Sequence, residues 1–174
     1  MDFASIENEF IDLSDPLDFV EHISPEQHWI CQRINEAKLS LNVRHGLKNH
    51  TIHLVWDASN EMLQLSCFIP IKMTKNAEQY LPSSLMDINS KLFLGHFIYD
   101  YKNDEDILRS IAFRHSISYK DGDGFSDIEN IKTIIDIALD ESTHFYPIFS
   151  MVSSEDLSES EKISLALSLS EGNA

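Results

Sequence analysis

A chain of 174 residues with 13 Lys and Arg against 29 Asp and Glu carries a formal net charge of −16 and has room for one domain. Its hydrophobic content of 43% is that of a globular protein able to bury a core without disulfides or metals. The acid excess speaks against a nucleic-acid backbone or an anionic membrane surface as partner, since both recruit clustered Lys and Arg, and it favours solubility and a basic partner.

The charge is concentrated at the ends. Met1 to His28 holds eight acids and no Lys or Arg, and Ser153 to Ala174 holds five acids and one Lys, so the two segments account for −12 of the −16. An acidic start without Lys or Arg is the reverse of a secretory signal. No apolar run reaches bilayer length. A cytoplasmic protein is expected, in which Cys31 and Cys67 are reduced, buried thiols. A disulfide between them would require the fold to bring them together.

In chain order, residues 1–14 read as an acidic N-terminal arm and 15–174 as a single domain. Asp15-Pro16 is an N-cap followed by proline at the first helical position. Leu17, Val20 and Ile23 then share a face. Ser24-Pro25-Glu26-Gln27 repeats the start signal with Gln27 at the capping-box position, which predicts either two short helices or one kinked at Pro25.

From Trp29 the period changes to two. Ile30, Gln32 and Ile34 alternate. Leu39, Leu41 and Val43 follow, then Ile52, Leu54 and Trp56, then Leu63, Leu65, Cys67 and Ile69. These are four antiparallel strands with one buried face. His45 to Asn49 and Ala58 to Glu61 are the hairpin loops.

Asn76 to Leu92 returns to helical spacing, with Ala77, Tyr80, Leu81, Leu85, Ile88 and Leu92 as the apolar stripe. Pro82 implies a kink or a late start. Phe93 to Tyr101 and Ile107 to Tyr119 read as two strands around the polar turn Lys102 to Asp106. Ser126 to Glu129 is a capping box for a helix reaching about His144, with Pro147 just beyond. The last segment alternates like a strand at Ile163, Leu165, Leu167 and Leu169. Ser158 and Glu161 form a capping box and Gly172 suits a C-cap, so it reads as a C-terminal helix. The pattern is an α+β domain with helices packed on an antiparallel sheet.

No catalytic, metal or cofactor motif emerges. His50 and His53, three apart on a strand, point to opposite faces. Asp121-Gly122-Asp123-Gly124 fails as a calcium loop, because Phe125, Ser126 and Lys132 stand where a ligand, a glycine and a glutamate belong. Glycine-rich phosphate loops and nucleophile elbows are lacking. One cluster stands out: Asn89, Gly95, His96, Arg114 and His115. A hairpin centred on Asp104 sets His96 opposite Ala112, with Arg114 diagonal on the same face and Phe93, Phe97, Phe113 and His115 on the other. It would be a partner or ligand site only if those side chains converge. The competing and favoured reading is that an Asn and a His, Asn89 and His96, cap a helix-to-strand connection and that Arg114 pairs a nearby acid.

At this cluster the chain resembles the YbjN-like family, whose members carry the label of bacterial sensory transduction regulators. Asp87 to Phe97 looks like one family pattern, Phe113-Arg114-His115 like the next, and Phe145-Tyr146-Pro147-Ile148-Phe149 like the one after. Pro16-Leu17-Asp18 and Leu63 to Cys67 also fit. The resemblance implies a twisted antiparallel sheet with packed helices, like the type III secretion chaperones, and supports the C-terminal helix. It implies no reaction. The expected role is a non-enzymatic protein-binding module, regulatory or chaperone-like, acting alone or as a homodimer. The alternative is a small-molecule sensor or enzyme with a pocket near Asn89, His96 and Arg114.

Overall fold

The computed structural model describes residues 15–71, 73, 77–100, 110–119, 124–154, 157, 158, 160 and 161. The expected arm at 1–14, the turn Lys102 to Asp106, the loop Asp121 to Asp123 and the segment Ile163 to Leu169 lie outside those residues. The element order is α1 (Pro16–Ile23), β1 (Ile30–Asn35), β2 (Lys38–His45), β3 (Lys48–Asp57), β4 (Met62–Phe68), α2 (Leu81–Lys91), β5 (His96–Asp100), β6 (Ser110–Ser118) and α3 (Gly124–Ser153). The strands form one sheet in the order β1-β2-β3-β4-β6-β5, and each neighbouring pair is antiparallel. This is the expected α+β architecture.

The α1 helix starts as its sequence dictates. The Asp15 Oδ1 accepts from the Leu17 N–H at 2.8 Å, and Pro16 occupies the first turn. Leu17 and Val20 are buried. No second helix follows. The Ser24 hydroxyl donates back to the Val20 carbonyl at 2.6 Å, which turns it toward the end of α1 rather than toward the residues ahead. His28 adopts φ +58°, and the Trp29 N–H closes the turn on the Ser24 carbonyl.

Short turns set the register of the first four strands. Gly46, at φ +60°, opens the two-residue loop between His45 and Lys48, the position that a type II′ turn gives to glycine. Asp57 accepts from the Ser59 and Asn60 N–H groups and receives the Asn60 amide, which shapes the β3–β4 loop. One face of the sheet then collects Leu39, Leu41, Ile52, Leu54, Leu63, Leu65, Cys67 and Phe113, all buried.

The alternation in β1 runs opposite to expectation. Ladder pairing sets Cys31 against Leu41 and Arg33 against Leu39, so Cys31 and Arg33 take the core side. Ile30 and Ile34 therefore turn away from it and are 72% and 48% exposed. Arg33 reaches α1 instead, where its guanidinium meets Asp15 at 3.2 Å, Asp18 at 2.9 Å and Glu21 at 2.9 Å.

The α2 helix starts late, at Leu81, with Pro82 in its first turn. The α3 helix is longer than expected in both directions. It begins at Gly124, so Ser126 is a helical residue rather than the cap. It also passes through Pro147 to Ser153. An interior proline costs about 3 kcal/mol. Beyond it, burial of Phe149 and Val152 continues the face that Phe145 begins and offsets that cost. At 158–161 the expected capping box is formed: the Ser158 N–H donates to Glu161 at 2.8 Å, and the Glu161 N–H donates to the Ser158 Oγ at 3.4 Å.

Both cysteines are free. Three strand spacings separate Cys31 from Cys67, about 14 Å, well beyond disulfide reach. Burial pushes the Cys67 thiol up to about 12, only partly opposed by the Ser142 hydroxyl at 3.5 Å. Burial also raises the half-exposed Cys31. We predict that a maleimide modifies Cys31 slowly and leaves Cys67 untouched until urea unfolds the chain, as read by peptide mass mapping. Equal labelling of both in the native protein would contradict this packing.

Candidate functional site

The α2 helix lies along β5, the last strand of the sheet, and two side-chain tethers hold it there. Near its start the Tyr99 hydroxyl of β5 donates to Glu78 at 2.8 Å. Near its end Asn89 makes a double contact. Its amide donates to the Phe97 carbonyl at 3.0 Å, and its Oδ1 accepts from the Phe97 N–H at 2.7 Å. An amide side chain thus supplies to Phe97 the donor and acceptor that a further strand would offer. It occupies the outer edge of β5 at that residue.

Between helix and strand the chain turns at Gly95, whose φ is +68°. A Cβ there would meet the Phe113 ring at 2.3 Å and the Arg114 carbonyl at 2.9 Å. The glycine therefore supplies both the backbone conformation and the space for Phe113. Phe97 packs edge-to-face on Phe113, Phe145 and Phe149, with ring centroids 5.2–5.6 Å apart. The three sequence stretches that resemble the YbjN-like patterns meet in this aromatic cluster.

The β5–β6 register differs from expectation by two residues. His96 pairs with Arg114 and Phe97 with Phe113. An even shift leaves each strand residue on its predicted face. Phe93 is the exception, fully exposed ahead of the strand rather than sharing the aromatic side. The chain spends Phe93 to Gly95 on leaving α2, so β5 begins only at His96.

The five candidate residues therefore divide. Asn89 and Gly95 serve the helix-to-strand connection. His115 pairs with Leu65 and shares the helix-covered face, where burial, and then the nearby His96, lower its pKa. His96 and Arg114 come together on the opposite face, and Arg114 has Ser66 as its other cross-strand neighbour. The Arg114 Nε is shielded from solvent and has no hydrogen-bond partner.

Two polar residues of the core side were not legible as such. Arg33 gathers three carboxylates. Its signal was the i, i+3, i+6 spacing of Asp15, Asp18 and Glu21 before a lone Arg on a strand. His50 is completely buried on β3, while His53 lies on the other side against Phe68. Neither His50 ring nitrogen has a hydrogen bond of good geometry, although the Phe68 backbone lies close enough to favour its charged form slightly. Burial dominates and lowers its pKa from 6.5, with a smaller contribution from His45. No group of three or more His, Cys, Asp or Glu fit to hold a metal occurs among the described residues.

Two predictions follow from these contacts. Asn89→Ala strands the Phe97 N–H and carbonyl, and Gly95→Ala drives a methyl group into Phe113. Each should lower unfolding free energy by about 2 kcal/mol or more, measured by urea titration. Stability should also depend on pH through His50 and His115. In the folded protein both lie below the ordinary histidine value of 6.5. The unfolded chain then binds protons first, so the stability is full above 6.5 and is lost as pH falls through the lowered folded values. His50→Leu should flatten the urea midpoint between about pH 7 and pH 5, leaving the part due to His115. An unchanged slope would remove His50 from that role.

The comparisons with known proteins agree with this geometry. The family model "YbjN: Putative bacterial sensory transduction regulator" matches residues 16–151. No curated protein sequence gives a significant match. Among solved structures, the chain is similar to "YbjN, a putative transcription regulator from E. coli" with a TM-score of 0.53 and 13% identity. That alignment covers 81% of this chain and 89% of the other, and at such identity it speaks for the fold alone. The family description is regulatory rather than catalytic. No helix among the described residues is long and apolar enough to cross a membrane. With the family model matching residues 16–151, most of its length, the chain belongs to the YbjN family.

Proposed function

We propose that this chain is a non-catalytic regulatory module that binds a protein partner, taking an extended segment of it onto β1. The observation that carries this reading is the contrast between the two edges of the sheet. At β5 the outer N–H and carbonyl of Phe97 are occupied by Asn89. At the other edge, β1 pairs with β2 alone among the described strands and presents Ile30 and Ile34 to solvent.

An unpaired strand edge offers main-chain donors and acceptors to any extended peptide, and alternate side chains give selectivity. Natural proteins usually protect such an edge with charge, proline or a covering element. On β1 the one charged side chain, Arg33, is turned to α1 and is not available as an outward guard. Ile30 and Ile34 lie on the same side of the strand, where they would pack against every second residue of an added segment.

The test uses the full chain. Ile30→Lys with Ile34→Lys places two charges at exposed positions, so the fold should be retained. Crosslinking pull-downs from a lysate of the source cells should recover a specific protein with the wild type. The double variant should lose it about tenfold or more, equivalent to about 1.4 kcal/mol. Amides of β1 should gain hydrogen-exchange protection on binding. Recovery of the same protein by both forms, or of nothing above background by either, would overturn the proposal.

A further inference from the structure

The sheet has a second face, turned away from α1 and α3, and its charge differs from that of the whole chain. The register aligns His96, Arg114, Ser66, His53, Ser40 and Gln32 in one row across all six strands. On this face the strand residues are acidic only at Asp57 and Asp100, the last residues of β3 and β5. Along β6, Asp100 pairs at Ser110, and the row through Asp57 and Met62 reaches Ser118. Each position is four residues from Arg114, about 13 Å along the strand. That exceeds the screening length of about 8 Å at physiological ionic strength.

In a protein with 29 acids against 13 Lys and Arg, an arginine without a carboxylate partner is uncommon. Among the described residues the Arg114 side chain has no ion pair or hydrogen bond, its Nε is shielded from water without an acceptor, and only its backbone is paired, in the ladder with Ser66 and His96. A shielded guanidinium N–H without an acceptor is a donor held ready for one. His96 stands directly opposite, exposed, and adds a second ring N–H. Ser66 on the other side adds a hydroxyl that can donate.

From this arrangement we infer that Arg114, with His96 and Ser66 beside it, binds a single oxyanion, a carboxylate or phosphate group. The planar guanidinium fork matches either group. The overall charge of −16 repels polyanions, which restricts the ligand to a small anion or one isolated anionic group. The site goes beyond the β1 edge and does not depend on it. It would give the family's regulatory description a signal to respond to.

The test is a titration of the wild-type chain with inorganic phosphate and, separately, with acetate, at constant ionic strength. The Arg114 Nε–H and His96 ring signals are followed by nuclear magnetic resonance. A saturable shift of both signals is expected. Saturation by phosphate alone identifies a phosphate group, and saturation by acetate a carboxylate. Arg114→Gln should weaken binding about tenfold or more. Arg114→Lys keeps the charge without the fork and should weaken it less. His96→Asn changes only an exposed residue, so it supplies a readout if the Arg114 variants do not fold. It should weaken binding severalfold. The Ile30→Lys, Ile34→Lys variant should bind the anion as the wild type does, which separates this site from the strand edge. No saturable shift at tens of millimolar of either probe, or shifts unchanged in Arg114→Gln and His96→Asn, would overturn the inference.

Discussion

The structure depends on one row of side chains that crosses the sheet from edge to edge. Cys31, Leu41, Ile52, Cys67, Phe113 and Phe97 are ladder partners in succession, one from each strand, all facing the helices. Because side chains alternate with a period of two, this row settles the face of every other strand residue. A slip of one residue at any ladder would turn half the core into solvent. The α3 helix rests on the same row. Its Ser142 meets Cys67, and its Phe145 and Phe149 meet Phe97. Each fully buried Phe, Leu or Ile contributes about 1.5–3 kcal/mol relative to exposure. Register and helix docking are therefore one cooperative decision rather than two.

The same row exposes the problem of the two edges, and the chain treats them differently. At β5 an asparagine on α2 takes the place of a seventh strand at Phe97. At β1 the anchoring comes from the core side, where Arg33 ties the strand to three carboxylates of the first helical segment. Those groups are partly exposed, so each pair is worth at most about 1 kcal/mol. Their value is positional. They hold α1 against β1, and among the described strands none pairs with its outer edge. One edge is closed by hydrogen bonding at Phe97, and the other, among the described residues, is held in place without a further strand.

Much of this architecture was legible from the sequence, and what was not has identifiable causes. Strands β2, β3 and β4 announce their faces because their apolar residues alternate, broken only by Val55 in β3 and by Met62 and Phe68 at the ends of β4. In β1 the alternation is just as clean, but Ile30 and Ile34 belong to the face away from the core. Periodicity shows that a strand has two faces without saying which is inside. That choice is made by the partner, through Leu39 and Leu41. Pro147 misled for a related reason. Proline marks a helix end by its local cost, while the continuation through Phe149 and Val152 is decided by tertiary burial. Among the candidate residues, the helix-to-strand role of Asn89 and Gly95 could be read from local order. The meeting of His96 with Arg114 depends on how β5 and β6 are joined, and the hairpin centre deduced from the polar residues was one position early.

The family motif Phe113-Arg114-His115 shows why membership transmits a fold more readily than a ligand. In a strand, three consecutive residues cannot share one surroundings. Phe113 enters the aromatic cluster, and His115 lies on the same side near its margin. Arg114 must emerge on the other side, and packing makes no use of its charge. Gly95 shows the same economy from across the ladder, since its missing side chain serves Phe113, while His96, the next residue, is sent to the far face beside Arg114. Substituting Phe113 or Gly95 would disturb the fold whatever the protein binds. Arg114 and His96 are free of that duty. A charge that the core does not need, retained on a face without nearby strand carboxylates, in a chain so acidic overall, is where a binding role can be separated from a structural one.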